Sequence, residues 1–327
     1  MGGNLARRLE QRPEIDAIFG IDIADPALVL ERTDFVHADT RHSTLTKLVR
    51  GLEVDTVVHA AVLTDSTAAP RVVHETNVIG TMNLLAACAG AGSPVRKLVV
   101  KSGAGVYGAH PDGPSFIRES MAGQRPARTG LERDLLEMEQ LVHDFAIRNA
   151  AVSVTTLRLG PRLGRRAPTP LSNAFRPSAV LRFAGYDPRL QLISEDDAVE
   201  ALYRATVADH RGVFNVCGEG VLLLTQAIGL ACRRDLPVLV LGGPIGRLAL
   251  RAITGADLPE YGLDLLRFGL VLDCSALKAE FGWRPARSTR EVMMEYVSWM
   301  GSQHEETPQP QEYELNAYLR RRRLGGR

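Results

Sequence analysis

The sequence predicts an α/β protein built on a doubly wound parallel sheet, with a smaller, irregular C-terminal substrate lobe. Two observations lead there: strand and helix patterns alternate through the first half, and prolines break that rhythm in the second. Asn4 to Glu10 reads as a helix with Leu5 and Leu9 on one face, and Ala17 to Ile23 as a short apolar strand that stops at Asp25-Pro26. Asp55 to Ala61 has the composition of a strand buried on both faces, Asn77 to Ala91 of a helix closed by Gly92, and Lys97 to Lys101 of another buried strand. Leu131 to Asn149 is helical, and Val152 to Leu157 is β-branched. Beyond Gly160 the alternation is interrupted by Pro161, Pro168, Pro170, Pro177 and Pro188, while Gly212 to Val216 reads as a strand returning to the sheet. The predicted divisions are a first domain over 1–160, a lobe over 161–301 interleaved with the sheet, and a polar tail over 302–327 carrying Arg320 to Arg323.

At 327 residues and 45% hydrophobic content, the chain can bury one large core and a smaller one. Its 39 basic and 38 acidic side chains leave a formal charge of +1, which argues against nucleic acid as a partner. Small molecules and a second copy of the chain are the expected partners. Cys88, Cys217, Cys232 and Cys274 form no C-x-x-C pair, so no metal site is expected. The apolar stretch from Leu236 to Ile253 is interrupted by Gly242, Gly243, Pro244 and Arg247, which argues against a membrane span. Met1 is followed by Gly-Gly and an arginine-rich helix start rather than a secretory signal, and a cytoplasmic location is expected.

A dinucleotide site needs a strand, a glycine loop whose backbone N–H groups reach the pyrophosphate, and an acid on the ribose about 20 residues later. Gly2 and Asp22 have that spacing. With Gly2 as the third glycine of the loop, the first strand of the Rossmann unit and its first two glycines fall upstream, so that strand is expected to be missing from this chain. Asp22 closes the next strand, and Asp39-Thr40 follows the one after. A 2′-phosphate would be repelled by these acids, which favours NAD over NADP unless Arg32 or Arg41 compensates.

These residues resemble the extended short-chain dehydrogenase/reductases, and within them the NAD-dependent epimerase/dehydratase group that includes UDP-glucose 4-epimerase. Asp55-Thr-Val-Val-His-Ala-Ala61 is similar to the strand whose final alanines, here Ala60 and Ala61, line the cofactor. Asn77-Val-Ile-Gly-Thr-Met-Asn-Leu-Leu85 is similar to the helix opened by an asparagine. Ser102-Gly-Ala-Gly-Val-Tyr-Gly108 resembles the Ser-Ser-x-x-Val-Tyr-Gly strand end, Glu195-Asp-Asp197 the later acidic turn, and Leu277 to Pro285 the closing Leu-Gly-Trp-x-Pro segment. The resemblance implies a nucleotide sugar or related polyol as substrate, a UDP-sugar among the candidates, and a homodimer formed through the Asn77 and Leu131 helices.

It also implies a Tyr-x-x-x-Lys pair, and this chain has none: its lysines are Lys47, Lys97, Lys101 and Lys278. The pair's positions fall on Leu131 and Leu135, the second serine falls on Gly103, and Ser102 sits one residue before the expected hydroxyl. Leu131, Leu135 and Met138 form an apolar helical stripe suited to core or dimer packing. The candidates left for catalysis are Ser102; Tyr107, which the family uses structurally or in the substrate pocket; and Asp134, a general base if desolvated or a surface ion pair with Arg133. His59 reads as a core histidine, and strand alternation turns Lys101 away from Ser102. Asn173, Arg176 and Arg182 offer a diphosphate site or ordinary surface. Two functions stay open: an atypical epimerase/dehydratase, or a non-catalytic NAD-binding sensor or scaffold.

Overall fold

A computed structural model of the chain describes residues 1–39, 41, 45–90, 92–165, 167–239 and 258–305. The first half runs α1 (Gly2–Leu9), β1 (Ile18–Asp22), β2 (Thr33–His37), α2 (Leu45–Gly51), β3 (Thr56–His59), α3 (Pro70–His74) and α4 (Gly80–Cys88). A π-helical turn over Glu75–Ile79 joins α3 to α4. Next come β4 (Lys97–Gly103), a 3₁₀ turn over Ala104–Tyr107, α5 (Gly130–Arg148) and β5 (Ser153–Leu159). The lobe contributes α6 (Pro170–Phe175), β6 (Ala179–Phe183), β7 (Arg189–Leu190), α7 (Glu195–Val207), β8 (Gly212–Val216), β9 (Leu222–Leu223), α8 (Leu224–Leu230) and β10 (Arg234–Val238). Three helices close the described chain: α9 (Glu260–Phe268), α10 (Ser275–Phe281) and α11 (Thr289–Glu305).

β3, β4, β5 and β8 form a parallel sheet in that order, so Gly212 to Val216 does return to the sheet beside β5. The β1–β2 pair is a separate parallel ladder. Among the described residues no ladder bonds join β1 to β3, the place where a doubly wound order seats its first strand. In the lobe, β6 pairs parallel with β10 and β7 antiparallel with β9.

Alternation along β4 explains how the sheet is covered. The Lys97 ammonium bonds the carbonyls of Thr206 and Ala208 at the end of α7, whereas the Ser102 hydroxyl bonds Glu139 on α5. Successive β4 side chains therefore face opposite helix layers. Leu98, Val99 and Val100 are completely buried between them. α1 packs against α7 through an Arg8–Glu200 ion pair and the Arg8 guanidinium 4.7 Å over the Tyr203 ring.

Local capping chemistry sets the helix starts. Thr129 accepts the Glu132 N–H at the head of α5, Ser194 accepts the Asp197 N–H at the head of α7, and Thr169 with Ser172 forms a capping box on α6. Asp197, from the acidic turn, also accepts the backbone N–H groups of Ala286 at 2.7 Å and Arg287 at 3.1 Å, pinning the Trp283-Arg-Pro285 segment onto α7. No helix among the described residues is long and apolar enough to cross a membrane. The tail arginines, Arg320 to Arg323, lie outside the described residues, as does most of the Leu236 to Ile253 stretch.

Candidate active site

At the β1 edge, Gly2 sits in the first turn of α1 with open space around it, and Asp22 is exposed at the C-terminal end of β1. One carboxylate oxygen of Asp22 accepts the N–H groups of Ile23 at 2.7 Å and Ala24 at 3.4 Å; the other has no partner among the described residues. Asp39 accepts two bonds from the Arg41 Nε and one from its Nη2 at 2.6 Å, and Arg41 also reaches Glu75 at 2.9 Å. Arg32 donates to the carbonyls of Glu10, Arg12 and Ile15. Both arginines that could have received a 2′-phosphate are thus engaged inside the protein. Ala60 is half-buried and Ala61 exposed past the end of β3, while Thr40 lies outside the described residues.

Asn77 is fully buried, and its amide clamps Leu63 from both sides: Oδ1 accepts the Leu63 N–H at 2.7 Å and Nδ2 donates to the Leu63 carbonyl at 2.9 Å. Asn77 therefore holds the loop after Ala61 and offers no free polar group there. His59, 2% exposed, bonds the Thr81 hydroxyl at 2.8 Å, and burial with the nearby Lys101 charge lowers its pKa to about 4.

The β4 end has been refilled. A Cβ at Gly103 would lie 2.6 Å from the Thr64 Cβ, so Thr64 occupies the space a serine side chain would use there. Leu135 is completely buried, and its Cδ1 lies 3.0 Å from where a Gly105 Cβ would be; Leu131 closes over the same glycine at 3.5 Å. Ser102, expected near the cofactor, instead faces α5, completely buried, and donates to Glu139 Oε1 at 2.5 Å. The alternation that turns Lys101 away from Ser102 is real, and it is the serine that faces into the packed layer. Tyr107 is also engaged: its hydroxyl donates to Asn215 Oδ1 at 2.6 Å and accepts from Arg158 Nη1 at 2.8 Å, and burial pushes its pKa well above the ordinary phenol value. Arg158 pairs with both oxygens of Glu139, completing a buried chain Ser102–Glu139–Arg158–Tyr107–Asn215. Asp134 bonds the His74 Nδ1 at 2.8 Å between α5 and α3, raising the His74 pKa, so its ion-pair partner is His74 rather than Arg133.

Two polar groupings escaped the sequence. Lys101 is 8% exposed with no hydrogen-bond or ion-pair partner among the described residues; burial, and secondarily the Arg162 charge, lowers its pKa to about 8. Arg162 is itself held by Asp65 through two bonds, at 2.7 and 3.1 Å. The second grouping belongs to a cavity of about 600 Å3 between the Tyr107-Gly108 turn and the lobe, lined by His110, Glu132, Tyr186, Arg189 and Arg267 among others. The Arg267 guanidinium lies 4.9 Å over the Tyr186 ring and 4.8 Å over Phe268, and its buried Nε has no hydrogen-bond partner. Arg182, by contrast, is held by Asp235, and neither it nor Asn173 or Arg176 lines this cavity. Sequence spacing offered no signal for these groups beyond Thr129-x-x-Glu132, which reads simply as a helix start.

Parallel strands flanked by helices, with acids at two strand ends, are the architecture of the extended short-chain dehydrogenase/reductase class. The chain belongs to the NAD-dependent epimerase/dehydratase family, whose model matches residues 1–217. It is 36% identical over 310 residues to the uncharacterized protein Rv0501 of Mycobacterium tuberculosis, covering 92% of this chain and 81% of that one. UDP-glucuronic acid 4-epimerase from Bacillus cereus, solved with NAD, shares the fold with a TM-score of 0.68 at 17% identity over 92% of this chain and 95% of its own. UDP-glucose 4-epimerase from Thermotoga maritima, solved with UDP-glucose, gives 0.67 at 19% over 92% and 96%. NAD is the cofactor of the family. The residues at the β1 edge fit it, because Asp22 keeps a carboxylate oxygen open and neither Arg32 nor Arg41 is left for a 2′-phosphate.

Proposed function

We propose that this chain is an NAD-dependent oxidoreductase of the epimerase/dehydratase type that acts on a nucleotide sugar. The observation that carries the reading is the cavity of about 600 Å3, in which Arg189 and Arg267 supply cations, and Tyr186 and Phe268 aromatic faces, suited to a nucleoside diphosphate. Gly2, Asp22, Asp39, Ala60 and Ala61 would hold NAD, with Asn77 fixing the loop behind the alanines. Bound there, NAD supplies a hydride acceptor. The chain's own residues orient the sugar, keep water out and move its proton. The test is to mix the protein with NAD and either UDP-glucose or UDP-glucuronic acid and follow nicotinamide reduction in a single turnover. Reduction with either sugar supports the reading; none with both, by protein that binds them, contradicts it.

The apolar side chains of Leu131, partly buried, and Leu135, completely buried, favour a second reading, a non-catalytic NAD-binding sensor or scaffold. Calorimetric NAD binding without reduction on any sugar would be its signature. In either case the assembly is a homodimer through α4 and α5, which leave Met82 at 47% and Ile147 at 66% exposure; a monomer by light scattering would refute it.

A further inference from the structure

His110 and Glu132 both line the cavity, and neither belongs to the buried chain running from Ser102 to Asn215. The His110 Nε2 lies 3.4 Å from Glu132 Oε1, and the two side chains keep only 7% and 2% of their surface. Glu132 is tethered through its second oxygen, which accepts the Arg128 N–H at 2.9 Å. Gly108 makes the approach possible. It adopts a left-handed backbone with φ of +63°, and a Cβ there would sit 2.7 Å from both Glu132 Oε2 and His110 Nε2. Glu132 directly follows Leu131, the position where the resemblance expects the tyrosine.

With Nε2–H donated to the carboxylate, the His110 Nδ1 carries the free lone pair, and it has no partner among the described residues. Charged groups near the pair include Asp264 on α9, whose carboxyl pKa is raised by burial, the cations Arg128 and Arg267, and, lining the same cavity, Asp112, Arg125, Asp187 and Arg189. Arg128 lies 3.5 Å from Asp264.

We propose that the His110–Glu132 dyad handles the substrate proton in this cavity, with His110 as general base and Glu132 fixing its tautomer. The proposal rests on the oxidoreductase reading above. In the step, the Nδ1 lone pair takes the sugar hydroxyl proton, and the O–H electron pair becomes the C=O bond. The hydrogen on the same carbon leaves as hydride, its acceptor being a nicotinamide dinucleotide. The alcohol is oxidised by two electrons, the acceptor reduced by two, and the imidazolium is left against the Glu132 carboxylate.

The test combines NMR of the histidine rings with single-turnover reduction of NAD. His110→Gln assigns the His110 ring signals. In the wild type these should move on adding UDP-glucose, and Glu132→Gln should change the His110 ring signals by releasing its tautomer. His110→Gln should slow NAD reduction by about 100-fold or more while leaving UDP-glucose affinity within about threefold. His110 signals that do not respond to UDP-glucose, in protein that does reduce NAD, overturn the dyad alone. An unchanged rate in His110→Gln overturns it as well. Wild-type protein that binds UDP-glucose and UDP-glucuronic acid but reduces no NAD overturns the oxidoreductase reading and the proton-transfer role together.

Discussion

At the β1 edge of the molecule polar groups stay exposed and partly unengaged, whereas at the β4 end Gly103 carries no side chain and the hydroxyls of Ser102 and Tyr107 are tied into the interior. Asp22 keeps one carboxylate oxygen open, while Ser102 and Tyr107 are buried in bonds to Glu139, Arg158 and Asn215. The two ends answer to different physics. A ribose-binding acid at a strand end interacts mainly with solvent and ligand, so its identity is independent of the packing behind it. Side chains at the start of α5 pack against the β4 end instead: Leu131 and Leu135 lie over Gly105, and Thr64 over Gly103. Substitutions at the β4 end are therefore felt by the packing around them.

The sharpest way to break that comparison is to attack the buried chain that holds Ser102. Glu139→Ala leaves the Arg158 guanidinium buried without its carboxylate and should cost about 3–5 kcal/mol in denaturant unfolding. A loss within about 0.5 kcal/mol, the range of an ordinary surface substitution, would mean that the chain is no structural element at all. A smaller effect tests the repacking. Gly103→Ser, which restores the family serine, should destabilise by about 1–3 kcal/mol through its clash with Thr64, and Thr64→Gly should relieve most of that in the double variant. Strict additivity of the two substitutions would show that Thr64 does not fill the serine's space.

The smallest effect concerns His59. Its folded pKa of about 4 lies below the ordinary 6.5, so the unfolded chain takes up its proton first as pH falls. The contribution is intact above pH 6.5 and is lost progressively toward pH 4, by about 1.4 kcal/mol at about pH 5.5. Thermal melts of wild type and His59→Gln across that window should diverge accordingly; parallel curves would place the histidine in contact with water.

The strands and the main helices were legible because their signals are local: buried β-branched runs and a helix closed by glycine. The helix from Asn77 is interrupted by a π-turn that periodicity alone does not reveal. Alternation turned Lys101 away from Ser102, but it carries no sign of the Glu139 carboxylate that Ser102 meets on α5. His110 and Glu132 were invisible because they are 22 residues apart and meet only through the left-handed turn at Gly108. Asp65 and Arg162, 97 residues apart, are joined by the fold and by nothing in the sequence.

Calorimetric titration of NAD and NADP into wild type and Asp22→Ala tests most directly whether the β1 edge holds the cofactor. Saturable NAD binding that is tighter than NADP binding, and weakened about tenfold or more by Asp22→Ala, is the predicted result. Equal affinity for the two cofactors, or NAD binding indifferent to Asp22, would contradict the account.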